Sequence, residues 1–234
     1  MWPSPSSIPA LLLLADGRFP AGGHVHSGGV EAAVADGRIA DLATLEAFTA
    51  GRLRTTGLVE AALAAATVHR LGGHAAVARD TLAELDAEAD ARILAPPLRD
   101  ASRRLGRQLL RSSTRCWPSL LLATASAVAP GGLHQPVALG TVARVVGIDP
   151  MGVAHLALHH AVATPTQAAV RLLGLDPFGS VAIAARLSPL VEHLAEVAAD
   201  AACGPLAGLP AASSPLLEIS AVEHHSWASH MFAT

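Results

Sequence analysis

Apolar residues return every three to five positions along most of this 234-residue chain, the period of helices that bury one face. Asp41 can cap a helix in which Leu42, Leu45, Phe48 and Leu53 lie near one side. A second helix is predicted over 59–71, stopped by Gly72 and Gly73, and a third over 74–94, closed by Pro96 and Pro97. In "PLRDASRRLGRQLLRSSTRCWP" two stripes run along one helix: Leu98, Ala101, Leu105 and Leu109 recur at three or four, Arg99, Arg103, Arg107 and Arg111 at four. The basic stripe has two readings. It is a solvated face with Asp100 as a local counter-charge, or it docks an acidic surface through bidentate guanidinium contacts.

After a break at 130–132, helices are predicted over 136–147, 151–163, 165–173 and 180–201. No β alternation and no fixed-period repeat emerges, so the pattern predicts an all-α, single-domain helical bundle. Its parts are a flexible N-terminus over 1–9, a helical domain over 10–203, a Pro/Gly/Ser-rich linker over 204–215 and a flexible C-terminal tail over 216–234.

Composition narrows the function. Hydrophobic residues make up 51% and charged residues 15%, below the roughly 25% charged fraction of ordinary domains, so some apolar area should remain for partners. Much of the apolar count is alanine, which favours helix more than it adds burial energy. All 16 basic residues are arginine. The absence of lysine excludes a Walker A phosphate loop and Schiff-base chemistry, so nucleotide hydrolysis would fall to a partner. A net charge of −3 gives no general attraction to nucleic acid or anionic membrane. Cys116 and Cys203 form no CxxC pair, which fits a reducing cytoplasm. The apolar run over 8–15 lacks a preceding basic residue, is cut short by Asp16, Gly17 and Arg18, and falls below the ~20 residues that span a bilayer.

Twelve histidines raise the question of a metal. His155 and His159 form an i, i+4 pair able to offer two imidazoles, but "HLALHH" lacks the glutamate of hydrolytic zinc helices. His224 and His225 are sequence neighbours, which point apart on a helix. His24 and His26 would need an irregular backbone to share an ion. In "FPAGGHVHSGGVE" a turn fits better than a metal or phosphate site: Pro20, Gly22 and Gly23 break the chain, Ser27 can cap, and Glu31 falls in the first turn of a helix, where the dipole favours a carboxylate.

The block "LLLLADGRFPAGGHVHSGGVEAAVADGRI" resembles the N-terminal region of UreF-type urease accessory proteins. The similarity continues in order through "RDASRRLGRQLLR", "HQPVALGTVARVVGI", "AVRLLGLDPFG" and "LEISAVEHHSWASHMF", over nearly the whole chain. The resemblance implies an all-α dimeric scaffold without catalysis of its own or an intrinsic cofactor. Such a protein joins a UreD (UreH) type partner and a UreG type GTPase on apo-urease; nickel is handled by the assembled complex and GTP is bound by the partner. It also implies partner contacts at Glu31, Arg103, Arg107 and Arg171 and, in the tail, at Glu218, His224, Trp227, His230 and Phe232. Departures are mild at Gly28, Val30 and Thr234. His230 stands where the family has arginine, and an imidazole does not reproduce a guanidinium fork. The alternative is a histidine-rich protein that carries nickel itself on His24, His26, His155 or His159. A hydrolase using Ser27, His26 and Glu31 is weaker still, since two of its three groups are adjacent and nothing orients the base.

Overall fold

The computed structural model describes residues 7–72, 78–227 and 231–232, apart from the side chain of His24. Gly73, the start of the predicted 74–94 helix, His230, Thr234 and most of the 1–9 segment lie outside the described residues. Helices run Ser7–Ala15 (α1), Val30–Ala35 (α2), Leu42–Arg52 (α3), Leu58–Arg70 (α4), Ala78–Arg92 (α5), Pro96–Cys116 (α6), Leu120–Val128 (α7), Gln135–Val146 (α8), Pro150–Leu173 (α9), Pro177–Ala202 (α10) and Pro215–His225 (α11). No β-strand occurs among the described residues. The all-α bundle read from the sequence is the observed fold.

The centre is α4. Ala61, Ala62, Ala64, Ala65 and Ala66 are all closed to solvent, and α8, α9, α10 and α5 pack around them. Short side chains let these backbones come close, with Leu63, Leu139, Val142, Leu158 and Ile183 filling the space between. At the closest crossings even a methyl group is excluded: a Cβ on Gly140 would meet Ala64 and Thr67 of α4, and one on Gly106 would strike the Leu133 carbonyl. Buried Thr49, Thr67, Thr141 and Thr166 return their hydroxyls to the carbonyl four residues back, at 2.8 Å each, so these four hydroxyls enter the core already satisfied.

Local signals held where caps were clear. Asp41 accepts from the Thr44 amide at 2.8 Å in a full capping box, and Gly147 and Gly174 end α8 and α9 in the left-handed region. Four features differ from the sequence reading. Pro165 does not divide the chain: α9 runs through it as one helix, with Pro165 itself buried in the packed body. Pro96 and Pro97 open α6 at its first two positions, where no N–H is needed, as well as following α5. Leu120–Val128 is a helix, capped by Ser119, that the flat apolar run "LLLATASAV" did not reveal. Between α3 and α4, Leu53–Gly57 is wound as a π-helical turn.

The segment over 204–215 is fastened to the body. Arg92 donates to the Leu206 and Pro210 carbonyls at 3.0 and 3.1 Å, and Arg70 to the Gly204 carbonyl at 2.8 Å.

Gly106→Ala should lower stability by about 2 kcal/mol or more, because backbone rather than a flexible side chain stands in the way. Gly51→Ala, a helical position with open space around it, should raise stability by about 0.5–1 kcal/mol. Thermal unfolding of the two variants against wild type checks both signs.

Candidate functional site

The N-terminal turn is held from three sides. The Pro20 carbonyl accepts from Gln108 Nε2 at 3.0 Å and Ser112 Oγ at 2.7 Å, fixing the turn to α6. Arg52, at the end of α3, donates to the Gly28 carbonyl at 3.0 Å. Gly22, Gly28 and Gly29 have φ of 86°, 63° and 91°, the left-handed conformation that a side chain would strain. The Ser27 hydroxyl accepts the Glu31 amide at 3.4 Å at the start of α2, and Gly23 begins a single 3₁₀ turn. The stretch is an ordered turn entering a helix.

Its product is the placement of Glu31. The carboxylate is nearly closed off from solvent and accepts three hydrogen bonds, all from the tail: the Met231 amide at 2.6 Å, the Phe232 amide at 3.0 Å and His224 Nε2 at 2.9 Å. Burial pushes the Glu31 carboxyl up, but the Met231 amide, His224 and the Phe232 amide outweigh it and hold it below its ordinary value. The Phe232 ring is buried, with the Arg171 guanidinium 4.3 Å above its centroid. Trp227 lies 4.6 Å from the His224 ring.

Two further ties bring α11 down beside Glu31. Glu218 accepts the Ala95 amide at 2.6 Å ahead of α6, and the Ser220 hydroxyl accepts from Arg38 at 2.7 Å. Leu217 presses on Gly29 so closely that a Cβ there would collide with it. Of the residues that the resemblance assigned to partner contact, Glu31, Arg171, His224, Trp227 and Phe232 gather around this seat; Glu218 ties α11 to the Ala95 amide, and Arg103 and Arg107 lie elsewhere.

Between the turn, α4, α6, α9 and α11 runs a cleft of about 260 Å³. Leu105, Leu139, Ala161 and Leu217 give it apolar walls, and Arg52 at the end of α3, Thr56 in the π-helical turn and Glu60 in α4 a polar side. Arg52 lies 3.8 Å from Glu60, whose carboxyl is pushed up by desolvation although part of it faces the cleft. His160 donates to the Leu14 carbonyl at 3.0 Å; burial, with the neighbouring His159, pushes its pKa down to about 4.

The histidines with candidate metal roles are dispersed. His155 spends both ring nitrogens, on the Met151 carbonyl and on Glu192, each at 3.0 Å. His159 sits beside the His160 ring at 5.9 Å, and His26 lines the cleft. No three His, Cys, Asp or Glu side chains converge on a metal position among the described residues. The arginine stripe is divided. Arg99 turns back to the Ile93 and Leu94 carbonyls, Arg103 joins Asp86, Asp90 and the Gly132 carbonyl, Arg107 is exposed but donates to the Gly131 carbonyl at 2.7 Å, and Arg111 is exposed. Asp86 also accepts the His134 amide at 2.8 Å and Asp90 faces His134 Nε2 at 3.1 Å, so the "HQP" block is a buried joint between α5, α6 and α8. Sequence reasoning missed Arg38, Arg52, Glu60 and Arg92, since lone polar residues in alanine-rich or charged helices carry no spacing signal.

An all-α body whose N-terminal turn and tail meet at one buried carboxylate belongs to the class of urease accessory proteins by its relatives. Over 229 residues it is 44% identical to the urease accessory protein UreF of Mycolicibacterium vanbaalenii, covering 98% of this chain and all of the relative. It is 41% identical over 232 residues to that of Mycobacterium tuberculosis strain H37Rv and over 229 residues to that of Mycobacterium sp. strain JLS, with the same coverage. The UreF family model matches residues 39–188, and the chain belongs to the UreF family.

Glu31→Ala should raise amide exchange at Met231 and Phe232 by roughly tenfold to a hundredfold, the loss of hydrogen bonds to a charged acceptor worth about 1.5–3 kcal/mol each. Exchange unchanged from wild type would contradict the geometry. The His160 pKa of about 4 lies below the ordinary 6.5, so the folded protein binds fewer protons than the unfolded chain between those values. Stability is therefore full above about pH 6.5 and falls by about 3 kcal/mol as pH drops to about 4. Melting temperature followed from pH 7 to 4.5 should decline less in His160→Gln. The flattening is partial, since His134, lowered chiefly by burial, acts in the same direction.

Proposed function

We propose that this protein is a non-enzymatic scaffold of urease maturation. It assembles with a UreD/UreH type accessory protein and a UreG type GTPase on apo-urease, in the cytoplasm and as a homodimer, so that nickel reaches the urease active site. Nickel is cargo of the assembly, and GTP belongs to the partner. The observation that carries the reading is relatedness to UreF proteins from end to end, tail included. A lysine-free chain has no P-loop of its own, which agrees with a surface-borne role.

The tail geometry supports a division of labour within α11. Leu217, Ser220 and His224 face the body, while Leu216, Ile219 and Val222, with Met231, are exposed and apolar. The outward set meets the UreD type partner, and the inward set holds α11 in place to do so. No helix among the described residues is long and apolar enough to cross a membrane.

Co-expression of the tagged chain with urease, UreD type and UreG type proteins from one source tests the reading. A stable complex, and nickel-dependent urease activity that requires this chain, are expected. Ile219→Glu should weaken UreD type binding at least tenfold while leaving the melting temperature within a few degrees. No complex, together with tight nickel binding by the isolated protein, would replace this reading with that of a metal carrier.

A further inference from the structure

Five buried side-chain nitrogen or oxygen atoms have no hydrogen-bond partner among the described residues, and two of them, Arg52 Nε and Thr56 Oγ1, belong to side chains that line the cleft. An unpaired buried polar group is costly, so two at one place call for an explanation. Their origin is local. Arg52, Thr56 and Glu60 follow at intervals of four where α3 passes into α4, and all three line the same side of the cleft. The chain between Arg52 and α4 is wound as the π-helical turn Leu53–Gly57, a distortion frequent at functional sites. Thr49, Thr67, Thr141 and Thr166 give their hydroxyls to the carbonyl four residues back, whereas Thr56 does not.

The donors left over have a definite shape. Arg52 Nη1 is spent on the Gly28 carbonyl at 3.0 Å, and Nη2 stands 3.8 Å from Glu60, too far for a hydrogen bond. Nε and Nη2 form one edge of the planar guanidinium, a fork that takes the two oxygens of a carboxylate side by side. Desolvation pushes the Glu60 carboxyl up, which favours its holding a proton beside a second carboxylate rather than repelling it. One guanidinium then offsets one negative charge, and a phosphate would bring a second into apolar surroundings. The other walls, with Leu105, Leu139, Ala161 and Leu217, enclose about 260 Å³, against about 30 Å³ for one water. Gly17, Gly23 and Gln167 line the cleft and are exposed, which marks its mouth.

We propose that the cleft is a binding site for a small amphipathic monocarboxylate, whose carboxylate docks on the Nε–Nη2 edge of Arg52 and on the Thr56 hydroxyl while its hydrocarbon body lies between α4, α6 and α9. Arg52 Nε and Thr56 Oγ1 are closed to water, and a small rotation of the Arg52 side chain, with Nη1 kept on Gly28, brings the edge to the head group. A wholly apolar ligand would leave both atoms unmet, and an amine would face the guanidinium. Arg52 also holds the Gly28 carbonyl, and Leu217 of α11 forms a wall, so occupancy bears on the two elements that flank the Glu31 seat. The site goes beyond the assembly reading and does not rest on it.

Octanoate is the probe, titrated into the full-length chain by calorimetry and by proton–nitrogen NMR of the arginine Nε–H groups, with octanol and octylamine as head-group controls. The expected result is one saturable site with a dissociation constant of about 0.1–1 mM, roughly tenfold weaker binding of both controls, and a shift of the Arg52 Nε–H resonance. Thr56→Val keeps the side-chain shape and removes an unpaired hydroxyl, so it should raise the melting temperature yet weaken octanoate by roughly threefold or more. Arg52→Lys keeps the charge and loses the fork, and should weaken octanoate by roughly tenfold or more. If Arg52→Lys does not fold, Thr56→Val and the Nε–H shift decide the matter. Absence of saturable octanoate binding up to about 10 mM overturns the site. So does octanol bound as tightly as octanoate, or octanoate affinity unchanged by the substitutions that fold.

Discussion

A carboxylate removed from water must find donors or lose its charge, and Glu31 finds all three of its donors in the last eleven residues of the chain. The consequences spread outward from that need. The Met231 and Phe232 amides reach the two carboxylate oxygens only if the chain turns back after α11, which sets Phe232 beneath Arg171 and Leu217 against Gly29. Gly29, left-handed just ahead of α2, matters here as the absence of a side chain: it lets Leu217 of α11 come down on the turn. The N-terminal turn, α9 and the tail are thereby one unit, although more than 190 residues separate Glu31 from His224 in sequence.

Beneath that unit, a chain low in charge and rich in alanine builds its core from backbone proximity rather than from large side chains. The alanines of α4 and the glycines of α6 and α8 let helices cross closely, and guanidiniums tie the surrounding segments by their carbonyls. Arg144 on the Leu71 carbonyl and Arg92 on the 206–210 segment act as Arg52 does on Gly28. With no lysine in the chain, the planar fork of arginine supplies these multiple, directed bonds.

Much of the helical framework was legible because periodicity and caps are local signals. Asp41, Gly147 and the apolar stripe of α6 each announced an element that is present. What escaped detection depended on distance in the chain or on burial. Pro165 reads as a break until tertiary packing shows it buried within one continuous helix, and the 120–128 helix has no polar face to give it a period. Glu31 was recognised as a carboxylate suited to a helix start, but its three partners could not be read from any spacing. The "HQP" block was visible as a motif, while its joint of His134 with Asp86, Asp90 and Arg103 needed three elements to be in place. The arginine recurrence at four was real, and the helix split it into an inward pair and an exposed pair.

For an assembly protein the practical meaning is that surfaces are set by internal ties. The outward residues of α11 keep their orientation through an inward hydrogen-bonded seat, so tail chemistry and N-terminal chemistry are one function in two places. The most direct measurement of that claim is a double-mutant cycle between Glu31→Gln and His224→Gln, read by chemical unfolding of the full chain. The account predicts that the two changes are non-additive by about 1 kcal/mol or more, as for groups in one buried hydrogen-bonded network. Strict additivity would mean that the tail and the N-terminal helix are energetically separate, and the account would be wrong at its centre.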